Sequence, residues 1–324
     1  MSDRIQIGVL GAANILESSL LKPVRETGSF QVAALASTRY EMALKLAEKY
    51  GIEQVYDNYE DLLKQDRIDM VYIPLINRLH APWVIEAAKA KKHILVEKPI
   101  CTSIAEAEAI AKVQKEHGVL IMEGVMTGAH PWQELVKQWV KEEQYGRLLE
   151  INTLMSTRIL SDQGNYRTRH EAGSGTFFDE GCYWVQMLQK IVGLEEYRIQ
   201  SVKQENNNAG IDVDFQTVIL LGSRIVSRFH CTFEGSDRAE HEFVFEQAVI
   251  RLRNIFRCCY GRFRLYLEVY NRQGVLLEKI ALEPQNYYIN QLRAAAEAIS
   301  ATNREYSCMK TLERIKFMCD IYLH

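Results

Sequence analysis

Little in this chain of 324 residues points to nucleic acid, a membrane or an oxidising compartment. The formal net charge is only −3, so no broad basic field advertises a polyanion or an anionic bilayer. No apolar run approaches the roughly 20 residues that a membrane-spanning helix needs. The polar start Met1-Ser2-Asp3-Arg4 runs straight into an apolar stretch and leaves no room for a signal peptide, so a cytoplasmic protein is expected. The seven cysteines are an odd number, and Cys258 and Cys259 are adjacent rather than two residues apart. Reduced, mostly buried thiols are therefore expected, with no disulfide or zinc framework. No set of His, Asp and Glu has metal-ligand spacing, and a metal-free site follows. Internal repeats and low-complexity linkers are also missing. What remains, 47% hydrophobic and 25% charged residues, is the composition of a folded globular chain. Its length suits two domains, each with its own core, and the missing linker predicts a tight interface between them.

Over the first 125 residues short apolar runs alternate with helix patterns. Strands are expected at 5–10, 32–36, 70–73, 94–96 and 120–122, with helices at 16–26, 40–50, 82–90 and 104–117. Fully apolar strands separated by helices describe a parallel sheet covered on both faces, a doubly wound α/β Rossmann domain over residues 1–125. Beyond residue 128 the rhythm changes. Helix patterns at 132–143 and 178–192 are followed by strand patterns at 148–157, 216–221, 225–233, 241–245, 249–252, 264–270 and 275–280. Hairpin-like breaks occur at Asn206-Asn207-Asn208, Gly222-Ser223 and Arg272-Gln273-Gly274. Residues 126–324 thus read as an α+β domain with a large, mostly antiparallel, open-faced sheet, closed by helices at 288–300 and 310–322. Such a sheet could pair copies of the chain face to face into a homodimer or homotetramer.

Two more absences bear on the first domain. Of the dinucleotide fingerprint GxGxxG, only the first glycine stands in Gly8-Val9-Leu10-Gly11-Ala12-Ala13-Asn14-Ile15. The segment still opens the first βαβ unit, where a helix N-terminus offers unpaired N–H groups to a pyrophosphate, and small residues let backbone approach it. The acid that usually holds the ribose hydroxyls at the end of the second strand is also missing. Ala36-Ser37-Thr38-Arg39 stands there instead, and two hydroxyls with a guanidinium suit a 2′-phosphate. NADP(H) is expected as preferred cofactor, with NAD(H) possible. A solvated first-turn role for Arg39 is the competing reading.

Val96-Glu97-Lys98-Pro99 follows at the carboxyl end of the fourth expected strand, where ligands of open α/β sheets bind. Together with the GVLGAANI start, the ASTR strand end and Tyr72-Ile73-Pro74-Leu75-Ile76-Asn77-Arg78-Leu79-His80, it resembles the glucose–fructose oxidoreductase / inositol dehydrogenase / MocA family. Asn165-Tyr166-Arg167, Gly173-Ser174-Gly175-Thr176-Phe177-Phe178-Asp179-Glu180-Gly181-Cys182-Tyr183, Met122-Glu123-Gly124 and His130-Pro131 are similar to the branch holding dihydrodiol and D-xylose dehydrogenases. The resemblance implies a cofactor site of Gly11, Ala13, Asn14, Ile15, Ser37, Thr38, Arg39, Leu75, Asn77, His80, Glu97 and Lys98. It implies catalytic roles for Lys98, Asp179 and Tyr183, substrate contacts from Arg167, Asp179 and Tyr183, and a substrate lying on the exposed face of the second domain's sheet. The chemistry agrees. Hydride transfer at a carbon bearing oxygen needs a proton to reach or leave that oxygen. A tyrosine hydroxyl, with an ordinary pKa of about 10, carries it if a cation lowers that value. Lys98 would be that cation and would also stabilise a developing alkoxide. Asp179 and Tyr183, four residues apart, share one face of a helix.

Plainer roles compete at several positions. Tyr183 also fits a core position, Asp179 an N-cap, Arg167 a solvated loop charge, and His80 a structural histidine near the cofactor. His130 and Trp132 either line a cleft or pack between domains, and Cys182 reads as packing. Departures from the family are Gly173-Ser174-Gly175 in place of three glycines, Glu246-Gln247-Ala248-Val249 where a glycine-rich turn is usual, the Asn206–Asn208 run and the Phe243/Phe245 stretch. The leading expectation is an NADP(H)-dependent oxidoreductase for a sugar, cyclic polyol or dihydrodiol. The alternatives are a pathway-specific imine or keto reductase and a non-catalytic NADP-binding sensor, the last disfavoured because Lys98 and Tyr183 are both present.

Overall fold

A computed structural model describes residues 4–159, 165–170, 173–301 and 305–324, so the Met1-Ser2-Asp3 start lies outside the described residues. In chain order the elements are β1 (Ile5–Leu10), α1 (Lys22–Thr27), β2 (Phe30–Ala36), α2 (Tyr40–Tyr50), β3 (Gln54–Tyr56), α3 (Tyr59–Leu63), β4 (Met70–Ile73), α4 (His80–Lys89), β5 (His93–Glu97), α5 (Ile104–His117), β6 (Ile121–Gly124), α6 (Pro131–Glu142), β7 (Leu148–Ser156), α7 (Thr176–Ile191), β8 (Tyr197–Asn206), β9 (Asp212–Leu221), β10 (Ile225–Thr232), β11 (Arg238–Phe245), β12 (Ala248–Leu252), β13 (Leu265–Asn271), β14 (Leu276–Leu282), α8 (Tyr287–Ser300) and α9 (Glu305–Tyr322). They divide into two compact units, Met1–Gly124 with Tyr288–Ile315, and Val125–Tyr287 with Lys316–His324.

In the first unit six strands, all pairing parallel, run in the order β3-β2-β1-β4-β5-β6. Ile7, Val9 and every residue of β4 are fully buried, as strands covered on both faces must be. The strand order reverses between β1 and β4, which opens a ligand crevice at their carboxyl ends. β3 and α3 are too short, at three and five residues, for periodicity to reveal them. The first helical segment, expected over 16–26, starts as a π-helical turn at Glu17–Leu21 before α1. The C-terminal segment departs from a continuous second domain over 126–324. Leu292 and Ala295 of α8 join the core of Ile7, Val9, Leu16 and Leu35 in the first unit. An apolar helix stripe carries no mark of which sheet it will cover.

The second unit is built on an eight-stranded sheet, β14-β13-β12-β11-β7-β10-β9-β8, antiparallel except for β7 with β10. Helix α7 packs on β9 and β10. Trp184 stacks on Phe229 with centroids 4.5 Å apart, and its indole N–H donates to Ser227 Oγ at 3.1 Å. Side chains alternate along a strand, so Arg228 and His230 face the opposite, open side. Register aligns Lys279, Glu268, Arg251, Glu242, Asn152 and Arg228 into one row across that open face. Asn207 builds the β8–β9 turn, its Oδ1 accepting from Ala209 and Ile211 N–H. Phe243 and Phe245 are core residues, and the six cysteines among the described residues are all buried. No helix among the described residues is long and apolar enough to cross a membrane.

Candidate active site

The first unit gathers the expected cofactor segments on one edge of its sheet, because each follows the carboxyl end of a parallel strand. Gly11 follows β1, Ser37–Arg39 follow β2, Leu75 and Asn77 follow β4, and Lys98 follows β5. Ser37 Oγ accepts from Arg39 N–H at 3.0 Å and from Ala12 N–H at 3.4 Å, and the Arg39 guanidinium donates to the Ala12 carbonyl. The putting-together of the β1 and β2 ends is thus a hydrogen-bonded unit rather than a chance of proximity. Gly11 has φ +117°, and a Cβ there would come within 2.7 Å of Leu75 Cδ2, so only glycine lets this turn lie against the β4 loop. Thr38 lies beside Tyr59 and opposes the rise that burial gives the pKa of its hydroxyl. Ala13 is half-buried, Asn14 and Ile15 are exposed, and Asn77 is buried.

Lys98 is half-buried, and its neighbours are held from four sides. The Tyr72 hydroxyl, pushed up by burial and by the Glu97 carboxylate, donates to Glu97 Oε1 at 2.5 Å. His80, fully buried, sets its two ring nitrogens 2.7 Å from the Pro99 carbonyl and 2.9 Å from the Leu75 carbonyl. Burial lowers the pKa of His80 while the two carbonyls act in the other direction. Glu123 Oε1 accepts from Ile100 N–H at 3.0 Å, and its Oε2 pairs with Arg314 at 2.7 Å, both side chains largely buried. His80 is therefore a brace between two cofactor-edge loops. Tyr72, Glu123 and Arg314 complete the brace, and sequence reasoning assigned none of the three a role there.

In the second unit Arg167 Nε donates to Asp179 Oδ2 at 2.9 Å, and Asp179 raises the pKa of Arg167 further. The guanidinium also lies over the Tyr166 ring at 4.8 Å. Tyr183 sits one turn on from Asp179 and is buried, its ring 4.8 Å from that of Phe256. Arg167, Asp179 and Tyr183 are thereby brought together around α7. Substrate contact through them cannot use the open sheet face, because α7 packs on the other one. That corrects the expectation of an open-face substrate site; a strand's alternation, invisible until the helix is placed, decides which face is which. His130 caps α6 through its Nδ1 and packs on Tyr287 at 4.7 Å, and Trp132 is fully buried beside His241.

The residue sequence reasoning missed here is Asp212. Helix α7 starts after Gly175 without a side-chain cap of its own. Asp212 Oδ2 accepts from Phe177 N–H at 2.8 Å, and Oδ1 accepts from the Tyr322 hydroxyl at 3.0 Å. A Cβ on Gly175, whose φ is +99°, would lie 1.9 Å from Asp212 Oδ1, so the second glycine of Gly173-Ser174-Gly175 makes room for this cap. Burial pushes Asp212 up to about 6 from 3.8, against the pull of the N–H and hydroxyl donors. Folding then takes up a proton between about pH 4 and 6, so this carboxylate's contribution to stability is full below pH 4 and is lost as pH rises through 6. His130 and His241, held by burial down to about 4 and about 3, act with the opposite sign and lose stability as pH falls below 6.5. Asp212→Asn leaves the histidines alone. Thermal melts should show the variant gaining on the parent at pH 8 but not at pH 4; an equal difference at both pH values would remove the assignment.

The family model described as an oxidoreductase family with an NAD-binding Rossmann fold matches residues 5–125, and the GFO/IDH/MocA C-terminal domain model matches residues 134–251. D-xylose 1-dehydrogenase (NADP(+)) 2 of Haloferax volcanii is 31% identical over 230 residues, covering 71% of this chain and 70% of that protein. The dTDP-3,4-didehydro-2,6-dideoxy-α-D-glucose 3-reductase of Actinomadura kijaniata is 29% identical over 297 residues, 91% of this chain and 87% of that one. The fold matches the crystal structure of KijD10, a 3-ketoreductase from the same organism in complex with NADP and TDP-benzene, with a TM-score of 0.92 and 24% identity over 99% of this chain and 98% of that one. With both units matched and the strand-end segments in place on the first, the chain belongs to the GFO/IDH/MocA family and is an NAD(P)-dependent oxidoreductase.

Proposed function

We propose that the chain moves hydride between NADP(H) and a carbinol or carbonyl carbon of a sugar, cyclic polyol or dihydrodiol-type substrate. The observation that carries this is Lys98, set at the carboxyl end of β5 by a braced loop on the same edge as Gly11, Ser37 and Arg39. The donor set suits NADP(H): Arg39 uses one donor on Ala12 and has others for a phosphate, and no acid stands at the end of β2 to repel one. Gly11, Ala13, Asn14 and Ile15 would hold the pyrophosphate, Ser37, Thr38 and Arg39 the 2′-phosphoribose, and Leu75, Asn77, Glu97 and Lys98 the remainder, with His80 supporting. The cofactor, when bound, supplies or accepts the hydride. Tyr183 carries the proton to or from the substrate oxygen, Lys98 stabilises negative charge on that oxygen, and Asp179, oriented by Arg167, accepts a hydrogen bond from a substrate hydroxyl.

A fluorescence titration with NADPH and NADH, run with a panel of sugars and cyclic diols, tests the assignment. NADPH should bind more tightly than NADH, and Arg39→Ala should weaken NADPH about 10- to 100-fold while leaving NADH nearly unchanged. Equal losses for both nucleotides would return Arg39 to a solvated role. The reductase relative that spans 91% of the chain favours a second substrate reading, reduction of a ketone on a nucleotide-linked sugar. Pairing of copies through the open face of the eight-stranded sheet, as dimer or tetramer, is part of the proposal, and a monomer in light scattering would end it. A cytoplasmic location belongs to the same proposal.

A further inference from the structure

Helix α8 covers the first unit's sheet through Leu292 and Ala295, in the core that also takes Leu95 of β5 and Met122 of β6. Register pairs Leu95 with Met122 and, two residues on, Glu97 with Gly124, so the last residues of both strands face α8 as well. At that level α8 presents Gln291, which is only 2% exposed and stands between buried Tyr288, Leu292 and Ala295. Its Oε1 has no hydrogen-bond partner among the described residues. A Cβ placed on Gly124 would lie 3.7 Å from Gln291 Nε2, 3.5 Å from Glu97 Cα and 3.0 Å from the Val96 carbonyl oxygen. The amide therefore sits against the end of β5, next to the start of Lys98's loop, where Gly124 leaves it room. An acceptor buried without a partner is destabilising, and an apolar side chain at this position would avoid that cost. Other polar side chains at these strand ends are already committed, His80 to two carbonyls and Glu123 to Ile100 N–H and Arg314.

We propose that Gln291 is a cofactor-binding residue whose amide oxygen accepts a hydrogen bond from the carboxamide of the nicotinamide ring. This rests on the assignment of the strand-end edge to NADP(H). The carboxamide is that ring's one polar substituent, and its N–H donors need partners once they leave water. Gln291 supplies the acceptor, and the bond satisfies the orphaned oxygen and the carboxamide together. The last torsion of a glutamine is broad, so the amide can turn its oxygen toward the crevice without any shift of α8. The bond has a consequence for the reaction. A nicotinamide turned over about its glycosidic bond presents its other face to the substrate, and the carboxamide then points the opposite way. By holding the carboxamide on the β5–β6 side, Gln291 selects one face of the ring and thereby which of the two hydrogens at its reactive carbon is transferred.

The test titrates the full chain with NADPH and with adenosine 2′,5′-bisphosphate, which shares the phosphoribose end but has no nicotinamide. Both are run on the parent and on Gln291→Met, which keeps the side-chain length and removes the amide. NADPH affinity should fall about tenfold in the variant, while bisphosphate affinity stays within about twofold of the parent's. Without nucleotide the variant should melt at the parent's temperature or above it, because an orphaned acceptor has been removed. A second measurement needs no variant. The 3-acetylpyridine analogue of NADP⁺, with a methyl ketone in place of the carboxamide, should bind the parent about fivefold or more weaker than NADP⁺. In Gln291→Met that gap should close. Unchanged NADPH affinity in the variant, equal losses for NADPH and the bisphosphate, a markedly lower melt, or a parent indifferent to the analogue overturns the role of Gln291 and leaves the NADP(H) assignment standing. A parent that binds neither NADPH nor the bisphosphate overturns that assignment, and the role of Gln291 with it.

Discussion

Lys98→Met lowers turnover by about 10³-fold or more, while NADPH titrates the variant almost as it does the parent. The separation follows from how the loop is built. Its shape depends on Tyr72 holding Glu97, His80 holding the Pro99 carbonyl and Glu123 holding Ile100 N–H, none of which uses the Lys98 ammonium. Methionine has similar length and keeps the apolar stem, so what disappears is the positive charge that the proposed mechanism presents to the reacting oxygen. A charge that acts on the transition state more than on the ground state shows in kcat rather than in cofactor affinity. Steady-state rates at saturating cofactor and substrate, with a parallel fluorescence titration, read the two quantities separately. Turnover near the parent's would end the role given to Lys98, whatever happened to binding.

Tyr183→Phe should cost about 10²- to 10⁴-fold in turnover, the usual worth of a positioned proton donor, with little change in the melting temperature. Tyr183 is buried with its ring edge-on to Phe256 at 4.8 Å, and phenylalanine keeps that contact. Only the hydroxyl goes. A role in core packing alone predicts turnover intact, because phenylalanine keeps the ring contact, so kcat decides between the two, with Tm on the same preparation as the check that the fold is kept. A loss of less than about threefold would mean that another group or water carries the proton. The pH–rate profile adds a third readout: the limb reporting the tyrosine should vanish in the variant, leaving a flat residual rate.

Much of the first unit is legible residue by residue. Helix α5 spans Ile104–His117 as the sequence predicts because both ends are marked, by Ser103 accepting from Glu106 N–H and by Gly118 in the left-handed region. The apolar runs of β1 and β4 show themselves since strands covered on both faces have no polar side to dilute them. β8 escaped for the opposite reason. It lies at the sheet's edge with most of Tyr197–Asn206 exposed or half-exposed, so its sequence carries no apolar face to read. The shared edge of the strand-end segments, too, could be read from sequence, because a parallel sheet delivers every strand-end loop to one edge.

The supports of the site could not. Asp212 caps α7 by accepting from Phe177 N–H, 35 residues before it, and Arg314 pairs with Glu123 across 191 residues. Nothing in the spacing of a lone carboxylate names its partner. By itself the sequence determined the two fold classes, the family and the lack of an acid at the end of β2, and it named Lys98, Asp179 and Tyr183 as candidates, since these rest on local pattern and on backbone turns that only certain residues permit. Tertiary structure alone decided that α8 covers the first sheet, which face of the second sheet stays open, and which buried groups hold Lys98's loop and the start of α7. Those outcomes depend on complementary surfaces meeting across long separations, and hydrophobic periodicity records that a residue is buried, not what it is buried against.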